Sequence, residues 1–210
     1  MSFDFAVHLG KVQRSVKDLE RDGKPVRAVT LARNYATSVD DLWDAVTNPE
    51  RLQRWFLPIT GDLKQGGRYQ LQGNAGGTIQ ECDRPQFLSI TWEFGGGMSW
   101  VELRLTRQGD NEARFSLTHI CPVDDHWRQY GPGATGVGWD LGLLGLAAYF
   151  SGKVLTHEEA EATFSSPEGK AFILDSSESW RQADVDSGED PDTAAATAQR
   201  TAAFYTGGAC

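Results

Sequence analysis

A chain of 210 residues, 40% hydrophobic and 23% charged, has ordinary globular composition and is long enough to bury a large core without a disulfide or a metal. Its formal net charge of −9 gathers at one end, where residues 151–210 carry 11 acids against 4 bases, and no basic cluster elsewhere offsets them, which excludes nucleic acid as a partner. Cys82, Cys121 and Cys210 are odd in number and lack paired spacing, so a reducing cytoplasm is expected rather than a disulfide framework. No signal-peptide pattern is expected at the N-terminus. The apolar stretch from Val137 to Phe150, broken by glycines and Asp140, is too short to enter a membrane.

Alternating apolar positions over 5–16 and 25–37, joined through Asp22-Gly23, predict a β-hairpin across residues 1–37. Ser38, with an acid three residues on, is a helix start, and Leu42, Trp43 and Val46 share the face that follows. Asn48 and Pro49 then begin a second short helix bearing Leu52, Trp55 and Phe56. From residue 60 to 120 the period falls to two. Strands are expected over 66–73, 78–83, 87–94, 99–106 and 113–120, in an antiparallel meander with one dry face.

After the Gly131-Pro132-Gly133 break, residues 134–150 read as a long helix that is apolar all round and therefore enclosed. Its glycines Gly138, Gly142 and Gly145 predict close approach to the sheet, or room for something in between. The tail predicts further helices, from a Thr156/Glu159 capping box, from Ser166-Pro167 and from Asp190-Pro191. Residues 1–150 are thus expected to form the body. Residues 151–210 form an acidic helical extension that packs on the body or on a partner subunit.

The blocks Trp43-Asp44-Ala45-Val46-Thr47-Asn48-Pro49-Glu50, Leu52-Gln53-Arg54-Trp55-Phe56, Gly66-Gly67-Arg68-Tyr69, Gly77-Thr78-Ile79-Gln80-Glu81, Leu88-Ser89-Ile90-Thr91-Trp92 and Gly136-Val137-Gly138-Trp139 follow one another in that order. Together they resemble the domains related to the C-terminal half of the Hsp90 ATPase activator, over roughly residues 27–150. The resemblance implies an α+β helix-grip fold of the START and Bet v 1-like (SRPBCC) superfamily, a curved antiparallel sheet wrapped around a long helix. It also implies a cavity between the two, and relatives that include lipid carriers, polyketide cyclases and chaperone activators. A fold of this kind does not fix a function.

On that resemblance the expected cavity wall comprises Trp55, Phe56, Tyr69, Glu81, Trp92, Leu103, His119, Val137 and Leu141. Of the rings Trp43, Trp55, Phe56, Tyr69, Trp92 and Trp139, two or three are expected to touch it, core packing accounting for the rest. Trp100 has the opposite parity to Val101 and is expected exposed, as a docking surface.

The four histidines sit on separate elements with no metal-ligand spacing, and neither a nucleophile elbow nor a phosphate loop is present, so no metal, cofactor or enzyme activity is expected. The leading reading is a binder of a hydrophobic or amphipathic small molecule. A protein-interaction module, chaperone-associated or homodimeric, is the alternative. A cyclase or isomerase reading would need inward-facing His119 and Glu81 as a proton-transfer pair.

Overall fold

In the computed structural model, which describes residues 5–153 and 157–208, Asp22 (φ 52°) and Gly23 (φ 73°) both take the left-handed conformation of a two-residue hairpin turn. Strands β1 (Gln13–Arg21) and β2 (Lys24–Tyr35) leave this turn in register, from Arg21 opposite Lys24 to Gln13 opposite Ala32. The hairpin is shorter than expected, because Phe5–Gly10 form a helix, α1. Phe5 and Leu9, four apart, pack together with Phe172 and Leu144, and tertiary burial overrides the alternating pattern read from the sequence.

Helix α2 (Val39–Thr47) begins where Ser38 Oγ accepts from the Asp41 amide at 3.2 Å, while the Asp41 carboxylate accepts from the Thr37 hydroxyl. Asn48 caps α3 (Pro49–Leu52) through the Glu50 amide at 3.0 Å. A three-residue strand β3 (Ile59–Gly61), too short to register as a period, precedes β4 (Arg68–Leu71), β5 (Gly76–Asp83), β6 (Phe87–Phe94), β7 (Gly97–Gly109) and β8 (Glu112–Pro122). The eight strands form one antiparallel sheet in the order β1-β2-β8-β7-β6-β5-β4-β3. Val29, Leu31, Val101, Leu105, Phe115 and Leu117 carry its buried face.

A short helix α4 (Asp125–Tyr130), absent from the sequence reading, is capped by Asp124 and buries Trp127. Helix α5 (Gly133–Phe150) is the long enclosed helix of the helix-grip fold. The tail adds α6 (His157–Ser165), α7 (Pro167–Asp186) and α8 (Pro191–Thr206), the last two capped by Ser166 and Asp190. Thr156, half of the expected capping box, lies outside the described residues, as does Cys210. Helix α7 packs on α5 and β1, and α8 on α7 and α4.

The α5 glycines are approached by the tail helices and by the segment that follows α3, rather than by the sheet. A Cβ on Gly136 would lie 2.3 Å from the Trp180 ring, and one on Gly145 would lie 2.5 Å from the Trp55 carbonyl oxygen. Trp100 does face outward, but it is half-buried. It packs with Val26, Ala28 and Ile120, under the Arg21 guanidinium 4.2 Å from its ring centre. Among the described residues no helix is long and apolar enough to cross a membrane.

Candidate functional site

Beneath α2 and α3, the β3–β7 half of the sheet encloses a cavity of about 540 Å³. Trp55, Phe56, Tyr69, Trp92 and Leu103 stand on its wall. All six rings singled out from the sequence reach it, Trp43 and Trp139 included, where two or three were expected. Four of them form a continuous aromatic surface: Trp55 meets Phe56 at 5.6 Å, Phe56 stacks on Trp139 at 5.8 Å and 21°, and Trp139 meets Trp92 edge to face at 5.1 Å.

The polar tips of Trp55, Tyr69 and Trp139 are already spent. Trp55 Nε1 donates to the Ala45 carbonyl at 2.9 Å, Tyr69 Oη to the Thr91 carbonyl at 2.7 Å, and Trp139 Nε1 to His119 Nδ1 at 3.0 Å. Leu71, Ile79, Leu88 and Ile90 complete a mostly apolar surface.

Four expected wall residues lie elsewhere. His119 is buried one layer behind, against the rings of Trp92 and Trp139. The indole N–H is a donor only, so Nδ1 must accept. The proton of the neutral ring then sits on Nε2, which donates to Ser99 Oγ at 2.7 Å. Burial pushes the His119 pKa down to about 3. A neutral ring whose two nitrogens are both engaged cannot take a proton from Ser99, so this contact is not a nucleophile–base pair.

Glu81 is exposed. Strands β5 and β6 pair Ile79 with Ile90 but Glu81 with Ser89, so a bulge at this point inverts the parity and sends the carboxylate to the outer face. The His119–Glu81 proton-transfer pair therefore does not form. Val137 is fully buried in the packed core, and Leu141 lines a separate groove on the other side of Phe56, along Gly138, Gly142 and Gly145. Val137 and Leu141 sit on flanks of α5 that face away from the cavity. Apolar periodicity alone cannot tell which flank a residue occupies.

The mouth lies among the α2–α3 corner, the β3–β4 loop and the β5–β6 turn, where the lining turns polar with Asp44, Thr47, Asn48, Lys64, Cys82 and Arg84. Asp44 is held below the usual carboxylate range, chiefly by a hydrogen bond from Arg51, then by one from Asn48, with the Arg84 charge adding to the effect. Sequence reasoning missed every one of these mouth residues. Cys82 and Arg84 acquire their orientation from the bulge, which leaves no periodic signal.

Elsewhere, burial pushes the Cys121 thiol up to about 12, so it is no ready nucleophile. Exposed His126 packs at a tilt against the Tyr130 ring. Among the described residues, no three His, Cys, Asp or Glu side chains gather as a metal site. The arrangement can hold an apolar body in place.

Residues 36–151 match the family model described as Activator of Hsp90 ATPase homolog 1-like protein. No curated protein matches the chain. Among solved structures it is similar to CalU16 from Micromonospora echinospora. The crystal structure of that protein is 30% identical, with a TM-score of 0.68 over 82% of this chain and 97% of that one. Its solution structure is 29% identical, with a TM-score of 0.72 over 84% and 96%. The Hsp90 activator PFC0360w from Plasmodium falciparum, at 22% identity and TM-score 0.52 over 60% of this chain and 96% of that one, shares the fold.

Proposed function

The chain belongs to the Activator of Hsp90 ATPase homolog 1-like family, and from that premise we propose that it binds a hydrophobic or amphipathic small molecule in the cavity under α2 and α3, without transforming it. The family and its structural neighbours support the coarser reading, a ligand-binding or interaction module. The observation that carries the finer one is the aromatic wall. Six rings border about 540 Å³ of space, within the range of small-molecule sites, and Trp55, Tyr69 and Trp139 spend their hydrogen-bonding tips on the protein itself. The free thiols Cys82 and Cys121 suit a reducing cytoplasm.

Native mass spectrometry of purified protein, with organic extracts analysed in parallel, tests the reading. A stoichiometric species carried by the wild type and lost in Leu88→Trp, which fills the cavity from β6, is the expected result. If the wild type carries nothing from several hosts, and binds no member of an apolar small-molecule panel, the cavity is not a binding site.

The interaction-module reading then takes over. It draws on exposed Phe94 (61%) and Met98 (50%) at the β6–β7 tip, and on the Hsp90-activator neighbour.

A further inference from the structure

We propose that the cavity selects an anionic amphiphile, a molecule with a flat apolar body and one acidic group, and that Arg84 clamps the acidic group at the mouth. This rests on the cavity being a binding site, and it adds the class of ligand.

Accounting for the polar groups at the mouth leads to Arg84. Asp44 is taken up by Arg51 Nη1 at 3.0 Å and Asn48 Nδ2 at 3.2 Å. Asn48 Oδ1 is spent on the Glu50 amide, and the Thr47 hydroxyl donates to the Trp43 carbonyl at 2.7 Å. Lys64 pairs with Asp62 at 3.1 Å. Arg84 is exposed and lines the cavity, yet it makes neither a hydrogen bond nor an ion pair among the described residues. A guanidinium offers five donors in a planar fork that matches a carboxylate or sulfonate.

The bulge in β5 is what places it there. In an unbroken strand the side chains after Ile79 on the cavity face would be Glu81 and Asp83, and the mouth would repel an anion. The extra residue at Gln80 turns both acids outward. Cys82, opposite Leu88, and then Arg84 take the cavity face instead. One local irregularity converts an acidic mouth into a basic one, on a chain whose net charge is −9. Below it, the near-parallel rings of Phe56 and Trp139 suit a flat body.

Two fluorescent probes that share a ring system and differ by one acidic group test this: 8-anilinonaphthalene-1-sulfonate, and the neutral N-phenyl-1-naphthylamine. Titrations of wild type, Arg84→Gln, Arg84→Lys and the cavity-filling Leu88→Trp are compared at low and high salt. The wild type is expected to bind both probes, and Leu88→Trp neither. Arg84→Gln is expected to weaken the sulfonate about fivefold and leave the neutral probe within about twofold, as for a partly exposed charge contact. Arg84→Lys is expected to recover most of the loss, and high salt to imitate Arg84→Gln.

Equal binding of the sulfonate by wild type and Arg84→Gln, or equal weakening of both probes, overturns the clamp and leaves the cavity standing. Sulfonate binding that survives Leu88→Trp places the anion elsewhere and also overturns it. If the wild type binds neither probe, the cavity reading falls and takes the clamp with it.

Discussion

On one flank of α5, Asp140 has a side chain with no exposed surface, and its carboxylate accepts four hydrogen bonds: two from Arg14 at 2.8 and 3.1 Å, one from Ser176 at 2.6 Å and one from Trp180 at 2.9 Å. On the other flank, Trp139, one residue earlier, turns its ring toward open space and spends its N–H on His119. The first flank is closed by α7 and β1, and its buried polar groups satisfy one another. The second is left unfilled under α2 and α3. A helix with no polar face need not be enclosed uniformly: the family's sheet-and-helix core leaves room on one side, and the acidic extension seals the other.

The sharpest way to break this contrast is at Asp140. Removing the carboxylate in Asp140→Ala leaves a buried guanidinium uncompensated, and strips partners from Ser176 and Trp180. The expected loss is about 3–5 kcal/mol, read as a lower urea midpoint. A loss below about 1 kcal/mol would mean that α7 holds to α5 by apolar packing alone. The second test compares added volume on the two flanks. Gly136→Ala drives a methyl into the Trp180 ring and is expected to cost roughly 1–3 kcal/mol. Leu88→Phe, growing into the cavity, is expected to change stability by less than about 1 kcal/mol. Equal costs at the two positions would erase the distinction.

Acid separates the flanks by sign. His119 has a folded pKa of about 3 against an ordinary 6.5, so between those values the unfolded chain binds the extra proton. Stability falls as pH drops through that window, at up to about 1.4 kcal/mol per pH unit. Asp184, in α7, is raised from 3.8 to about 6, mainly by burial. Arg27 opposes the shift, and Glu189 and Asp18 add to it. Here the folded chain binds the proton. The contribution is complete below about 4 and is lost as pH rises through 6. Urea midpoints between pH 7.5 and 4.5 are expected to fall less steeply in His119→Gln, and more steeply in Asp184→Asn, than in the wild type. Parallel curves for all three chains would show that neither group is linked to folding.

The sequence makes the body legible because its signals are local. The Asp22-Gly23 turn, the caps at Ser38, Asn48, Ser166 and Asp190, and the two-residue period of β6 to β8 each declare an element within a few positions. The rings that border the cavity were legible for the same reason, as bulky residues at helix and strand spacing. What escaped depends on partners far away or on a single inserted residue. Asp140 reads as an interruption in an apolar run until Arg14, 126 positions away, is placed beside it. Phe5 and Leu9 read as strand until Phe172 meets them. Parity gave Glu81 the wrong face and hid Cys82 and the turn residue Arg84, because one bulge shifts every later side chain of β5 and the turn it leads into, and leaves composition unchanged.

The smallest expected effect lies at Glu81, and it separates two views of the open flank. If the cavity only binds, Glu81→Gln on the outer face is expected to shift stability by less than about 0.5 kcal/mol. It should also leave the affinity of both naphthyl probes within about twofold, since the carboxylate neither lines the space nor meets His119. The same substitution would remove the acid of any His119–Glu81 relay, so it measures whether strand β5 ever slips back into unbroken register. A marked change in sulfonate affinity in Glu81→Gln, with the neutral probe unmoved, would mean that this carboxylate visits the mouth and competes with the ligand for Arg84. The bulge would then be one of two registers, and the sign of the mouth's charge would follow from the balance between them.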